Sequence, residues 1–279
     1  MDIDEIYKEL DTLFKENKIN EVEPFLLNYL DKAKETENYG IYISICNELM
    51  GFYRSISEYR KAFDISEDVL LLMEELQLEN SEHFATTMLN AATVYRAAGQ
   101  NDVAYTYYQR ALKIYESLLE PNDYRFAGLY NNMSILLEVQ DKNEEAAAFL
   151  EKAMAIIEGL DKNSMEMATS LTNLALIYFK QHKIEEVKEK LELALAIFEN
   201  RDANTDAHYS AALAGIGEAY YHMKEYDKSL AAYEKSLEEI KKHFGMNDSY
   251  TLVASNCAAI AEEMGDKEKA AYYHKLSQK

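Results

Sequence analysis

The chain has 279 residues, and its 48% hydrophobic content is enough for one or two packed cores. With only 9 Gly and 2 Pro it has too few turn-forming residues for a fold of many short strands, so the composition favours helices. The formal charge of -21, from 50 acidic and 29 basic residues, disfavours nucleic acid and anionic membranes as partners and favours a neutral to basic protein or peptide.

The N-terminal segment, residues 1–38, is predicted to form a degenerate helical hairpin. It begins with the acidic stretch MDIDEIYKEL, whereas a secretory signal begins basic and continues apolar. It is also too short and too acidic for a helix-turn-helix DNA reader. Pro24 is expected near the start of the second helix, where a missing N–H costs little. Since no later apolar run approaches the ~20 residues of a membrane span, we expect a cytoplasmic protein.

Six further units of about 42 residues follow this segment. A small residue opens the second helix of each unit, with spacings of 42, 42, 41, 42 and 41 residues, at Ala62, Ala104, Ala146, Val187, Ser229 and Ala270. Each unit holds two stretches of helical apolar periodicity, joined by a short polar turn such as 99–101 or 141–143. We therefore predict a single domain over 1–279 with about seven hairpins, the repeats being 39–80, 81–122, 123–162, 163–203, 204–246 and 247–279.

Helix-capping residues precede the expected first helix of several units. The pairs are Asn80-Ser81, Asn122-Asp123, Asn163-Ser164 and Asp248-Ser249. Their side-chain oxygens can accept hydrogen bonds from the free N–H groups of the first helical turn, which predicts where these helices begin.

Two recurring positions in the first helices carry a family resemblance. The first is small, at Met50, Ala92, Ser134, Ala175, Gly217 and Ala258, and the second, three residues later, is mostly aromatic, at Tyr53, Tyr95, Leu137, Tyr178, Tyr220 and Ala261. This pattern resembles the tetratricopeptide repeat, and the long units resemble those of kinesin light chains, although the chain has no Trp and no closing Pro. The resemblance implies an all-α fold, a right-handed superhelical solenoid of stacked antiparallel hairpins.

The resemblance also implies where a ligand binds, because the first helices of this family line a concave groove. Two residues before the small position lie Asn90, Asn132, Asn173 and Asn256, which resembles the asparagine ladder of peptide-binding tetratricopeptide domains. A carboxamide has donors and an acceptor, so it can pair with the N–H and C=O groups of an extended peptide. Alternatively, each Asn bonds to the neighbouring hairpin and only fixes the packing. The sequence leaves both readings open.

Further candidates for peptide contact surround these asparagines. They are Asn131, Thr93, Lys180, Tyr221, Glu218 and His222. The C-terminal part of this stripe is mainly acidic and would favour basic side chains on the ligand. The carboxylate clamp known from the family, which uses Lys and Arg to hold a C-terminal acid, is not evident, because Lys180 and Arg96 alone do not rebuild it.

No pattern in the chain indicates catalysis, a metal site or a cofactor. The 6 histidines lack metal-ligand spacing, and there is no phosphate-binding glycine loop or nucleophile motif. Cys46 and Cys257 match neither a metal site nor a disulfide framework, so we expect two buried free thiols. The prediction is a protein that is not an enzyme.

The leading hypothesis is a protein–protein interaction module that binds an extended peptide or protein segment in the groove. One alternative is a regulatory protein of the kind seen among bacterial tetratricopeptide proteins that sense signalling peptides. Another is an architectural scaffold or a homodimer, in which the terminal hairpin stacks on a second copy through Tyr272, Tyr273 and Leu276.

Overall fold

The computed structural model describes residues 2–200 and 207–278, without the side chains of 199, 200, 207 and 208. Every regular element in these ranges is an α-helix, which confirms the all-α class. The 14 helices of the described ranges are α1 (Ile3–Lys15), α2 (Ile19–Glu35), α3 (Tyr39–Ser55), α4 (Tyr59–Glu75), α5 (Glu82–Ala97), α6 (Asn101–Leu118), α7 (Tyr124–Val139), α8 (Asn143–Asp161), α9 (Met165–Lys180), α10 (Ile184–Asn200), α11 (Ala207–His222), α12 (Tyr226–Phe244), α13 (Asp248–Glu263) and α14 (Lys267–Ser277).

These helices pack in consecutive pairs, which confirms the predicted helical hairpins. α3 packs on α4, α5 on α6, α9 on α10, α11 on α12 and α13 on α14. Successive hairpins stack, since α4 also contacts α5 and α12 contacts α13. The chain divides into two compact units, 1–129 and 130–279, with the division inside α7. The predicted boundary between repeats 163–203 and 204–246 lies outside the described residues.

Small residues allow close contact between the helices of a hairpin. A methyl group built on Gly217 of α11 would lie 2.8 Å from ring carbons of Tyr233 on α12, so only Gly fits there without a shift. In the first unit, Ala62, Ala92 and Ala104 are fully buried. Such positions let helix backbones approach while the larger neighbours fill the space between them.

Nine of the turns between the described helices share one backbone geometry. After α1, the N–H of Asn17 bonds to Phe14 O (3.0 Å) and that of Lys18 to Leu13 O (2.9 Å), which is the Schellman arrangement of a helix end. Asn17 has a positive φ. The residues at the equivalent position of the other turns also have a positive φ, and they are Glu37, Ser57, Gln77, Gly99, Asp141, His182, Lys224 and Gly265. Turns therefore occur at the predicted places around Gly99 and Asp141, but Asn101 and Asn143 already begin α6 and α8. Most of the nine positive-φ residues are not glycine.

Two local predictions need correction. Pro24 is the sixth residue of α2 and not part of its first turn, so its missing N–H removes one intrahelical bond. The N-cap of α13 is Asn247, whose side chain accepts from the N–H of Tyr250 at 2.9 Å, and not the pair Asp248-Ser249. The predicted caps Ser81 and Ser164 do accept hydrogen bonds from the N–H groups of Phe84 and Met167.

The two cysteines, Cys46 and Cys257, are free and buried, which confirms the prediction made for them. Burial raises the pKa of each thiol to about 12, so neither is a reactive thiolate at neutral pH. Within the described residues, no helix is both long enough and apolar enough to cross a bilayer.

Candidate functional site

The first unit has a cavity of about 390 Å³ on the face formed by its first helices. Its lining consists of Tyr7 of α1, six residues of α3, three residues of α5 and Leu78. The lining of α3 and α5 is Tyr39, Gly40, Ile43, Ser44, Asn47, Glu48, His83, Thr86 and Asn90. One predicted site residue, Asn90, therefore faces this cavity, and Glu48 is at the equivalent position on the preceding first helix.

Asn90 also takes part in the packing between α3 and α5. Its Nδ2 donates to Oδ1 of Asn47 at 2.7 Å. Asn47 in turn donates from Nδ2 to Ile43 O (2.9 Å) and to Oγ1 of Thr87 (3.1 Å). The carboxamide of Asn90 thus holds the neighbouring first helix, which is the packing alternative, while the same side chain lines the cavity. Sequence reasoning missed Asn47 in this network.

The second unit repeats part of this network at equivalent positions. Asn131, like Asn47, stands one residue before the ladder position, and its Oδ1 accepts from Oγ of Ser170 at 3.0 Å. Ser170 and Thr87 each lie three residues before the next ladder asparagine. An Asn followed about 40 residues later by Ser or Thr is the sequence signal that identifies this contact. Asn131 is therefore occupied by a bond between consecutive first helices.

Two further ladder asparagines, Asn132 and Asn173, lie on α7 and α9 of the second unit. The amide nitrogen Nδ2 of Asn173 is buried and has no hydrogen-bond partner among the described residues. A buried amide donor without a partner is unfavourable, so a small shift or an acceptor from another molecule would stabilise it. Asn132 is half-buried on α7.

Thr93 and Lys180 are engaged by neighbouring helices. The hydroxyl group of Thr93 bonds to Leu89 O (2.9 Å) and lies 3.1 Å from the Tyr108 hydroxyl. Lys180 forms an ion pair with Glu138 of α7. Both side chains are thus less available to a ligand than the sequence suggested.

The second unit has a cavity of about 430 Å³ between α11 and α13, with Tyr233 of α12 at one side. Four predicted site residues line it together: Glu218, Tyr221, His222 and Asn256. The remaining lining is mostly apolar and consists of Tyr233, Leu252, Ala259 and Ile260. The structure thus brings the C-terminal part of the predicted stripe to one concave site.

Aromatic rings and one carboxylate shape this second cavity. The ring of His222 stacks on Phe179 of α9, with centroids 4.6 Å apart and planes 13° from parallel, and meets Tyr221 edge-on at 5.7 Å. Nε2 of His222 lies 3.7 Å from the carboxylate of Glu218. Burial and the negative charge of Glu218 raise the pKa of Tyr233, whose hydroxyl group hydrogen-bonds to Asn256. An aromatic cavity with a negative charge suits a cationic side chain.

The cavity of the first unit also contains a carboxylate. Glu48 is half-buried, and burial, together with the charge of Asp11, raises the pKa of its carboxyl group. A positive group brought next to Glu48 would offset this cost of burial. Across the described residues, no three His, Cys, Asp or Glu side chains come together as a metal site.

Comparison with known proteins agrees with this architecture. A family model described as "Tetratricopeptide repeat" matches residues 47–121 and 125–200, and a second model of the same description matches 210–249. No curated protein sequence matches the chain.

Several solved structures are similar to the chain. BtubC (BKLC) from P. vanneervenii is 20% identical, with 81% of this chain and 89% of that chain covered and a TM-score of 0.54. A putative kinesin light chain from P. anserina with nearly identical repeats is 18% identical (71% and 94% covered, TM-score 0.52). A Rap protein complexed with competence and sporulation factor is 16% identical (93% and 77% covered, TM-score 0.63). At these identities the likeness concerns the fold.

Proposed function

Because the chain belongs to the tetratricopeptide repeat family, we propose that it is a protein–protein interaction module that binds an extended peptide segment of its partner on the faces formed by its first helices. The observation that carries this proposal is the 430 Å³ cavity of the second unit, where Glu218, Tyr221, His222 and Asn256 meet. Stacked hairpins of this family offer such faces to protein ligands, and mostly apolar cavities with a few polar groups are typical binding sites.

The charges on these faces favour a neutral to basic segment. Glu218 is exposed and contributes a carboxylate to the second cavity, and Glu48 contributes one to the first. A Lys or Arg side chain of the ligand would lie against Tyr221 and pair with Glu218. In each unit, one such cation would offset a carboxylate that has no Lys or Arg partner among the described residues.

The ladder asparagines contribute unequally to this proposal. Asn256 lines the second cavity and can offer its remaining polar atoms to a ligand backbone. Asn90 lines the first cavity but gives one donor to Asn47. Backbone recognition through Asn132 and Asn173 stays a prediction. The ligand segment is therefore expected to contact amides at a few points and not at every repeat.

The test begins with peptides selected from a random display library on the wild-type protein, followed by affinity measurement by fluorescence anisotropy. Glu218→Gln removes the carboxylate and keeps the shape, so basic peptides should bind about 3- to 10-fold more weakly. The matched control is Glu238→Gln, which removes one charge from an exposed position of α12. Equal affinities for wild type and Glu218→Gln would exclude this cavity as the site.

Asn256→Ala tests the amide contribution. It should weaken binding by about 3- to 10-fold through the loss of one or two hydrogen bonds. Because Asn256 also bonds to Tyr233, the thermal midpoint of the variant must be measured beside its affinity. Unchanged affinity for every selected peptide would show that Asn256 does not contribute to ligand binding.

The other functional hypotheses stay predictions. These are the regulatory peptide sensor, the architectural scaffold and the homodimer formed by the terminal hairpin. In that hairpin Tyr272 is 58% exposed, which leaves an aromatic ring at the surface of α14. Sedimentation equilibrium of wild type and Tyr272→Ser would test the dimer, since a monomer in both cases excludes it. The cytoplasmic location and the absence of enzymatic activity are likewise predictions.

A further inference from the structure

The hydrogen bonds around the cavity of the first unit determine which polar atoms are left for a ligand. Nδ2 of Asn47 donates to Ile43 O at 2.9 Å, and since a carbonyl oxygen can only accept, this bond fixes the orientation of the Asn47 amide. The other amide atom of Asn47, Oδ1, therefore accepts from Nδ2 of Asn90 at 2.7 Å. Oδ1 of Asn90 takes no part in these bonds and belongs to a side chain that lines the cavity.

The hydroxyl hydrogens of three lining side chains are engaged within the protein. Ser44 donates to Gly40 O at 3.1 Å, and Thr86 donates to Glu82 O at 3.0 Å. Tyr7 hydrogen-bonds to Ser44, and because the hydrogen of Ser44 is already used, Tyr7 is the donor in this bond. A hydroxyl group has one hydrogen and two lone pairs, so these side chains offer a ligand acceptors and no donors.

Glu48 adds a half-buried carboxylate to the same cavity. None of the described Lys, Arg or His side chains forms an ion pair with it, and the charged group that perturbs it is another acid, Asp11 of α1. The charge of Glu48 in turn helps to raise the pKa of Tyr7, so the Tyr7 hydroxyl group lies near this carboxylate. The cavity thus combines negative charge with acceptor oxygens from two neighbouring helices.

We propose that the cavity of the first unit binds a primary ammonium group through the carboxylate of Glu48 on α3 and Oδ1 of Asn90 on α5. A primary ammonium group is a compact cation with N–H donors and no acceptor, which matches the atoms that the cavity leaves free. A guanidinium group is a planar fork that suits a bidentate acceptor, and a quaternary ammonium group has no donor at all. The site is therefore expected to prefer a primary amine to either of these cations.

The apolar lining of the cavity suits the carbon chain of such an amine. Ile43, Leu78 and the side chains of Tyr7 and Tyr39 line it beside the polar atoms. Aliphatic carbons pack on such a surface, and aromatic rings attract a cation. A volume of about 390 Å³ is typical of small-ligand sites. The ligand is thus an alkylamine, and its identification as a lysine side chain or the N-terminus of a peptide rests on the proposed function.

The first test uses the intact protein and n-butylammonium chloride as the probe. Its matched control is tetramethylammonium chloride, an isomeric cation that has no N–H group. Thermal midpoints are measured in both salts and in sodium chloride, at pH 7 and equal ionic strength. The wild-type midpoint should be about 1–3 °C higher in butylammonium than in tetramethylammonium. Glu48→Gln should abolish this difference, whereas Glu116→Gln, at an exposed position of α6, should retain it.

The midpoints in sodium chloride give a second readout. Glu48→Gln removes an unpaired, half-buried charge, so its midpoint at pH 7 should match or exceed that of wild type, which separates a lost amine effect from a damaged fold. Equal wild-type midpoints in the two isomeric salts would overturn the proposal. An equal difference between these salts in wild type and Glu48→Gln would also overturn it. Stronger stabilisation by guanidinium than by butylammonium at the same low concentration would overturn the choice of a primary ammonium group.

Selected peptides then identify the source of the ammonium group. Each peptide is compared with its N-acetylated form and with forms in which one Lys is replaced by norleucine, which keeps the carbon chain and removes the charge. A loss of affinity of about 10-fold on one of these changes in wild type, but not in Glu48→Gln, identifies the source. Equal affinities of all forms would overturn a peptide as the source. The butylammonium measurement requires no peptide, so its failure is distinct from a failure of the proposed function.

Discussion

Gly217 offers a sharp test of the packing between the two helices of a hairpin. A methyl group at this position of α11 would lie 2.8 Å from two ring carbons of Tyr233 on α12. The Tyr233 ring is only 4% exposed and has little room to move away. Gly51, inside α3, is the matched control, because a methyl group there meets no atom within 4 Å.

The expected magnitudes follow from two opposing effects. Replacing Gly by Ala inside a helix stabilises it by about 1 kcal/mol at either site, because Ala loses less backbone freedom on folding. At Gly217 the added methyl group also overpacks the contact with Tyr233, which costs about 1–3 kcal/mol. Gly51→Ala should therefore raise the free energy of unfolding by about 1 kcal/mol, and Gly217→Ala should fall about 1–3 kcal/mol below Gly51→Ala.

Urea unfolding followed by circular dichroism measures this difference. The slopes of the unfolding curves must agree among wild type and both variants, because a repeat protein can lose cooperativity and the midpoints would then not be comparable. If Gly217→Ala were as stable as Gly51→Ala, the ring of Tyr233 would have accommodated the methyl group without cost. That result would refute the claim that Gly217 is required by close helix packing.

Three further changes test charges and turns. Hydrogen bonds from Arg125 lower the pKa of Asp123 to about 2. The stability that this carboxylate contributes is therefore present above its unfolded pKa near 3.8 and is lost as the pH falls to about 2. Asp123→Asn should flatten the plot of thermal midpoint against pH in this range, and parallel plots for wild type and variant would contradict the ion pair. Lys224 has a φ of 61°, so Lys224→Gly should relieve strain of roughly 1 kcal/mol and thereby raise the thermal midpoint. Gly99→Ala at the equivalent turn should lower the thermal midpoint. Burial raises the pKa of Glu48, so the free-energy cost of burying its charged form appears as the pH rises above 4.5. Glu48→Gln should therefore stabilise the ligand-free protein at pH 7 more than at pH 4. Equal gains in the free energy of unfolding at both pH values would show that burial of this carboxylate is not costly.

The helical hairpins were predictable because the sequence repeats the information that defines them. A period of about 42 residues, a small residue in each helix and polar turns are all local features, and the helices follow them closely. The turn geometry was only partly predictable. Gly99 and Gly265 signal a left-handed residue, but His182 and Lys224 adopt the same conformation without that signal. There the short connection between two packed helices imposes the backbone angle.

The candidate site was predictable only at the level of the helix face. The spacing of Asn90 predicts a position on the face of α5 that lines the cavity of the first unit. Whether its carboxamide turns to a ligand or to α3 depends on which side chain stands opposite. That side chain is Asn47, one residue away from the equivalent position, which is occupied by Glu48. A shift of one residue along α3 changes which side chain faces Asn90. A single sequence therefore does not reveal the hydrogen-bond partner of Asn90.

These contacts decide which substitutions can test binding. Replacing Asn90 removes a bond between α3 and α5, and replacing Asn256 removes one to Tyr233, so a loss of binding in either variant includes a change in packing. Glu218 is exposed, and its only ion pair among the described residues is a loose one with His222 at 3.7 Å. Exchange of this carboxylate for an amide should leave the fold intact. The effect of Glu218→Gln on the affinity for basic peptides therefore reports on the ligand, whereas the asparagine variants report on ligand and packing together.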